Sequence, residues 1–249
     1  MGPMLVQIRG LSYIYEGSDT PALSAFDLDV ASGSVHAVVG PNGCGKSTLL
    51  RVMAGLSKPT SGRVDFVGER IRENVTALVF QEPRLLPWWN VQRNVAIGSG
   101  FGVKPPSLYR KVRDFYTKQV GLDRVRHNKP HQLSLGQQTM AGLGRGLAYD
   151  SDVILLDEPF AHIDAPTRRR LRSEFETHWQ LDPLTVLLVT HDVEEAVYMS
   201  DRVSVMRGSP GPLLTTVEVD VPRPRVDTPL DHPGLLAATS AVWEALTAA

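Results

Sequence analysis

The sequence predicts an α/β protein with a mainly parallel sheet around a phosphate-binding loop, an antiparallel β portion before it and an inserted α-helical subdomain. Three observations predict this. The run Gly40-Pro41-Asn42-Gly43-Cys44-Gly45-Lys46-Ser47-Thr48 fits the pattern G-x-x-x-x-G-K-[ST], between the apolar stretch Val35 to Val39 and the helix-like Leu49 to Ala54. Two further apolar runs, Val153 to Leu156 and Leu184 to Thr190, are each followed by a helix-like segment, Ala165 to Trp179 and Val193 to Ser200. That β-then-α alternation is the mark of a parallel sheet covered on both faces. Residues from about Asn90 to Tyr149 are mostly helix-like and interrupt the alternation.

Glycines in the loop let successive backbone N-H groups turn inward on a phosphate, and the following helix adds its positive N-terminal dipole. Gly40, Pro41, Asn42, Gly43, Cys44, Gly45, Lys46, Ser47 and Thr48 are therefore candidate nucleotide-binding residues, with Lys46 reaching the β- and γ-phosphates and Ser47 offering its hydroxyl to Mg²⁺. Cys44 has two readings: a thiol activated by the helix N-terminus, or a small side chain that fits.

Before the loop, Val6 to Arg9 and Phe26 to Val30 alternate apolar and polar, which predicts two half-exposed strands with a turn at Gly17 to Pro21. After it, Gly55 to Gly62 breaks the chain, and Arg63 to Val67 and Thr76 to Phe80 read as strands. The segment Gln81 to Trp89 carries two prolines and two tryptophans. Trp88 and Trp89 are either core anchors or a docking surface. Leu108 to Val120 and Gln137 to Tyr149 read as helices of the inserted subdomain, and a short apolar helix ends near Leu246. The expected division is a domain over 1–220, with the helical insertion at about 90–149, and a short C-terminal tail over 221–249.

The 249 residues are 42% hydrophobic and 21% charged, as in a globular chain with a real core. A formal net charge of -1 argues against a nucleic-acid-binding surface over the whole protein, so Arg168, Arg169, Arg170 and Arg172 read as a solvated helix face. One cysteine leaves no intrachain disulfide and suits a reducing compartment. No apolar run approaches the roughly 20 residues that span a bilayer, and Met1 to Leu5 lacks the pattern of a secretory signal.

Asp157-Glu158-Pro159 follows the run Val153 to Leu156. An aspartate at such a strand end can hold Mg²⁺ through its waters, and a neighbouring carboxylate can polarise a water for in-line attack on a γ-phosphate. Thr190-His191-Asp192 follows the next apolar run, which sets the imidazole at the same sheet edge.

These residues together resemble the ATPase subunit of an ABC transporter, a P-loop NTPase, over nearly the whole chain to about residue 220. Gly40 to Thr48 is similar to Walker A, Val153 to Glu158 to Walker B, and Gln81 to the Q-loop. Leu133-Ser134-Leu135-Gly136-Gln137 is similar to the signature motif, Ala161-His162-Ile163-Asp164 to the D-loop, and His191 to the switch histidine.

The resemblance implies two such subunits sandwiching two ATP molecules with Mg²⁺. Each ATP would be held by Lys46 and the rest of one Walker A, with Ser47, Gln81 and Asp157 at the metal, and by Ser134, Gly136 and Gln137 from the second copy; Asp164 is a further nucleotide-binding candidate. Glu158, His191, Lys46 and Gln81 would be the catalytic set. Tyr15, 31 positions before Lys46 (46 minus 15), would stack on adenine, with Tyr13 as competitor. The resemblance also implies transmembrane permease partners, a peripheral position on the cytoplasmic face of the membrane, an indirect link to a secreted solute-binding protein and no nucleic acid.

The signature departs from L-S-G-G-Q at Leu135, and Met140 stands where an arginine is usual; a side chain at 135 is expected to hold the backbone off phosphate and lower turnover. Phe80-Gln81-Glu82 through Trp88, with Asn94-Val95, is similar to importers of the nitrate, sulfonate and taurine type, some relatives of which carry thiamine precursors. The alternatives are a soluble ABC ATPase acting on nucleic acid or the ribosome, and a nucleotide-binding regulatory module with impaired turnover.

Overall fold

The computed structural model describes residues 4–68, 75–99, 117–118, 120–149, 151–161, 163–181, 184–208 and 211–248. In chain order the described elements are β1 (Met4–Ile14), β2 (Pro21–Ala31), β3 (Val35–Val39), α1 (Lys46–Met53), β4 (Ser61–Phe66), β5 (Thr76–Val79) and α2 (Val91–Ala96). They continue as α3 (Leu135–Leu147), β6 (Val153–Asp157), α4 (Ala165–Leu181), β7 (Thr185–Thr190), α5 (Val193–Met199), β8 (Arg202–Met206), β9 (Leu213–Glu218) and α6 (Pro233–Thr247).

One sheet is antiparallel, in the order β2-β1-β4; the other runs β5-β6-β7-β3-β8-β9, parallel except for β9 at its edge. The expected mixture of an antiparallel β portion and a mainly parallel sheet is what forms. The apolar runs explain the parallel one. Ile154, Leu156, Val186, Leu188, Val203 and Val205 face a core shared with α3, α4, α5 and α6. Val153, Leu155, Leu187, Val189 and Val38 face the other way, onto α1 and the apolar face of the antiparallel sheet. Alternate side chains point to opposite faces, so a strand buried on both needs a continuous apolar run. Burying each such side chain contributes roughly 1.5–3 kcal/mol, more than the roughly 0.5–1 kcal/mol of rotamer entropy it loses.

Several elements differ from expectation. The first strand does not stop at Arg9: it passes Gly10 (φ 54°) through a bulge and continues to Ile14. Strands β8 and β9 were not expected at all. Ser204 and His36 interrupt their own apolar strands, yet both are buried, with His36 Nε2 2.8 Å from Ser204 Oγ and Ser204 Oγ 2.8 Å from Thr216 Oγ1. Burial pushes the His36 pKa down to about 4, so the imidazole is neutral there. Most of the helix expected at Leu108 to Val120 lies outside the described residues, as does His162.

The helix expected to begin at Gln137 begins at Leu135. Ser134 caps it, accepting from Gln137 N at 3.3 Å while Gln137 Oε1 accepts from Ser134 N at 3.0 Å, a reciprocal capping box. Its glycines let it lie close to the sheet: a Cβ on Gly146 would stand 2.6 Å from Val79 Cγ2. Trp88 is exposed and Trp89 half-buried, so the two tryptophans divide between the alternatives.

The arginines of α4 are not uniformly solvated. Arg169 and Arg170 are exposed, but Arg172 is buried, with Nη2 3.6 Å from both Asp192 Oδ2 and Glu195 Oε1. Residues 221–247 pack onto the body of the molecule: Val221, Leu235, Ala238 and Val242 join the core under α5, and a buried arginine ties the crossing. Arg225 donates to the carbonyls of Val197, Tyr198, Ser200, Val219 and Val221 at 2.8–3.3 Å. Burial, reinforced by nearby Arg223, pushes its pKa down to about 10. Arg223 itself pairs with Glu176 and Asp201 and lies over the Trp179 ring, 4.6 Å from its centroid. Replacing Arg225 by Met leaves several buried carbonyls without donors, so Arg225→Met is expected to lose about 3 kcal/mol of stability in chemical denaturation.

Candidate active site

The site lies at the carboxyl edge of the parallel sheet, where neighbouring strands release their chains at one level. Val79 pairs with Leu156, Leu156 with Leu188 and Val39 with Thr190. Just beyond these rows come Gln81, Glu158, His191 and the loop from Gly40. Open sheets bind ligands at this edge.

Gly45 (φ 105°) is the N-cap of α1, in a conformation that disfavours other residues, and a Cβ there would stand 2.4 Å from the carbonyl oxygen of Ala22. Lys46, nearly buried, donates through Nζ to the carbonyls of Gly40 at 2.8 Å and Pro41 at 3.0 Å. The same ammonium is 3.9 Å from Glu158 Oε1. The loop thus holds the side chain folded back over its own backbone, at the floor of a cavity of about 650 Å³. Cys44 does not support the activated-thiol reading. It is buried, and burial raises its pKa more than the nearby Lys46 lowers it.

Besides Lys46, the candidates Ser47, Gln81, Glu158 and His191 line this cavity, and Asp157 is bonded to Ser47. Ser47 Oγ donates to Asp157 Oδ1 at 3.0 Å. Glu158 Oε2 is 2.9 Å from His191 Nδ1 and 3.4 Å from Gln81 Nε2, the second contact longer than a normal hydrogen bond. Glu158 has φ 43°, a left-handed conformation that costs a non-glycine residue on the order of 1–3 kcal/mol. Its backbone holds it there: its N-H donates to Val189 O at 2.9 Å and its carbonyl accepts from Ala161 N at 3.1 Å. The turn aims the carboxylate back over the sheet edge instead of along the strand.

Asp157 has a raised pKa. Burial is the largest cause and the charge of Glu158 adds to it, against the hydrogen bond from Ser47, which lowers it. A hydroxyl and a carboxylate in contact form a hard oxygen donor pair that fits Mg²⁺, an ion that takes few protein ligands and the remainder of its shell from phosphate and water. Among the described residues no group of three or more His, Cys, Asp or Glu is arranged to hold a metal.

Tyr15 lines the cavity, its hydroxyl 2.8 Å from Thr48 Oγ1. Tyr13 meets it edge to face, with centroids 4.9 Å apart, but is itself packed against the core. Ala22, at the start of β2, also lines the cavity and was missed, because nothing in its sequence surroundings marks it. Asn42 and Gly43 complete the loop's contribution, whereas Gly40, Pro41 and Cys44 stand behind it.

The remaining candidates lie elsewhere on the same chain. Ser134, Gly136 and Gln137 open α3 away from the cavity. Leu135 is 46% exposed, whereas a Cβ on Gly136 would stand 3.0 Å from Thr167 Cγ2, so Gly136 is a packing position against α4 within this chain. Asp164 Oδ1 accepts from Thr167 N at 3.1 Å, capping α4, and this bond lowers its pKa.

A family model described as "ABC transporter" matches residues 23–161, more than half of the chain. An uncharacterised ABC transporter ATP-binding protein of Methanocaldococcus jannaschii is 39% identical over 230 residues, 91% of this chain and 86% of that protein. The aliphatic sulfonates import ATP-binding protein SsuB 1 of Xanthomonas axonopodis pv. citri is 42% identical over 206 residues, 82% of each. Among solved structures, a dimeric ATP-binding cassette in a post-hydrolysis state with ADP and Pi aligns with a TM-score of 0.75 at 27% identity, covering 87% of this chain and 100% of that one. CbiO1 of Clostridium perfringens, part of the ABC transporter complex cbiONQ, aligns with a TM-score of 0.75 at 28% identity, over 86% of this chain and 88% of that one. The chain therefore belongs to the ABC transporter family, as one of its ATPase subunits.

Proposed function

We propose that this subunit powers import of a small solute of the sulfonate class, within a range that includes nitrate, taurine and thiamine precursors. It would do so as a homodimer beneath transmembrane permease subunits, peripheral to the cytoplasmic face of the membrane, with a secreted solute-binding protein supplying the cargo. The observation that carries the chemistry is the meeting of Lys46, Ser47, Glu158 and His191 in one cavity, with Asp157 bonded to Ser47. The cargo class rests on the aliphatic sulfonate importers among the relatives, at 40–42% identity.

In this reading Tyr15 lies against the adenine, and the N-H groups of Asn42 to Thr48 with the Lys46 ammonium take the phosphates. Ser47 and Asp157 would hold Mg²⁺ with Gln81 nearby, and the ion when bound supplies charge neutralisation on the phosphates. Glu158 accepts the proton of the attacking water, while His191, already in contact with that carboxylate, donates toward the γ-phosphate. A second copy contributes Ser134, Gly136, Gln137 and Asp164. The Ser134 hydroxyl accepts from its own helix, which leaves its O-H free to donate to phosphate. Gln81 relays opening and closing to the permease.

Two measurements test this. Glu158→Gln is expected to bind ATP and dimerise while hydrolysing it on the order of 10²- to 10⁴-fold more slowly, and Leu135→Gly to hydrolyse it faster than the wild type. Wild-type turnover in Glu158→Gln would remove the role given to that carboxylate. Asp157→Asn is read by stability. Because the folded pKa of Asp157 is raised, the fold favours its protonated form, and ionisation costs stability as pH rises through that pKa. Asp157→Asn should melt higher than the wild type at pH 7, with a gap that closes as pH falls through the carboxylate range, and should lose Mg²⁺-dependent hydrolysis. A gap that stays constant with pH would contradict the assignment.

A further inference from the structure

The sequence reading treated Arg168 as part of a solvated face, but in the structure its guanidinium joins two loops of the active site. Nη1 donates to Asp192 Oδ2 at 2.8 Å, and Nη2 donates to the carbonyl of Ile163 at 3.0 Å. Asp192 directly follows His191, and Ile163 directly precedes Asp164. We propose that Arg168 is a positioning residue for hydrolysis: it fixes the backbone that carries His191 against the loop that ends at Asp164, and so sets the imidazole on Glu158. The inference rests on the ATPase reading of the site.

The surroundings make Asp192 a rigid intermediate. Its Oδ1 accepts from Glu195 N at 3.0 Å and caps α5, its own N-H donates to Thr190 Oγ1 at 3.1 Å, and Oδ2 accepts from Arg168 at 2.8 Å with Arg172 Nη2 farther off at 3.6 Å. Thr190 in turn donates to buried Glu195, whose carboxylate lies 3.6 Å from Arg172 Nη2. Two guanidinium groups and two carboxylates thus brace the main chain on both sides of His191. The imidazole itself is 55% exposed and touches the Glu158 carboxylate, so it depends on its backbone for placement. Phe160, Ala161, Thr190 and His191 line a cavity of about 120 Å³, and Arg168 lines it too. Beside this cavity Arg168 donates to both loops at once. The charge is of modest value as stabilisation, because Arg168 and Asp192 are each more than a quarter exposed. Its geometric effect is larger, since displacement of a reacting group by about 1 Å can cost up to 10²-fold in rate.

The test compares Arg168→Met, Asp192→Asn, which keeps an acceptor for the α5 cap, and the double variant, with Arg168→Lys as the conservative change. In the ATPase assay Arg168→Met is expected to lower kcat about tenfold with KM for ATP within twofold, and the double variant to be no slower than the slower single one. Arg168→Lys, which keeps the charge but cannot hold two acceptors in the same planar fork, should recover only part of the loss. Unchanged kcat in Arg168→Met, multiplicative losses in the double variant, or complete recovery by lysine would each overturn the inference. Wild-type protein without ATP hydrolysis beside an equally silent Glu158→Gln would instead overturn the reading of the site, and the inference with it.

Discussion

The whole site depends on the parallel hydrogen-bonded ladder that brings β5, β6, β7 and β3 to a common edge. Pairing of Leu156 with Leu188 and of Val39 with Thr190 fixes the height at which each chain leaves the sheet. A slip of one residue would turn every side chain of a strand to the opposite face, so burial on both faces enforces the register. Given that register, Gln81, Glu158, His191 and the loop from Gly40 meet at one edge, close enough for their side chains to touch. What remains for local structure is aim, supplied by the left-handed turn at Glu158 and the glycine N-cap at Gly45.

The edge so formed concentrates charge in a half-buried place. Lys46 is held by two carbonyls and faces Glu158, and Asp157 is pushed toward its protonated form by burial and by Glu158. Polar groups placed this way weaken the isolated fold, and in the proposed reading a nucleotide with its divalent cation would balance them. The signature residues Ser134 and Gln137, which complete the proposed sandwich, lie on another face of the same chain, where they cap α3. In the proposed reading such a chain holds two unlike halves of a site, which a second copy would join.

The fold and the site were legible in the sequence to different degrees, for physical reasons. Val35 to Val39, Val153 to Leu156 and Leu184 to Thr190 announced themselves because strands buried on both faces cannot contain solvated residues. Strand β8 was hidden because its buried Ser204 is satisfied by His36, 168 residues away, and β9 because it is a mostly exposed edge strand. The start of α3 was misplaced by two residues although Ser134 and Gln137 stand at capping-box spacing, a local signal that could have found it. Arg168 and Arg172 looked solvated because the carboxylates that hold them, Asp192 and Glu195, come from the next βα unit. Cys44 was left open between an activated thiol and a small side chain that fits, and its burial favours the second. Pairings local in sequence could be read, and pairings made by the fold could not.

The central claim is that one chain carries only half of a working site. Specific ATPase activity measured against protein concentration, with the oligomeric state followed by light scattering, addresses it directly. Turnover per chain should rise with concentration in step with the dimer fraction and fade on dilution to monomer. Turnover per chain that stays constant where light scattering finds only monomer would contradict the account.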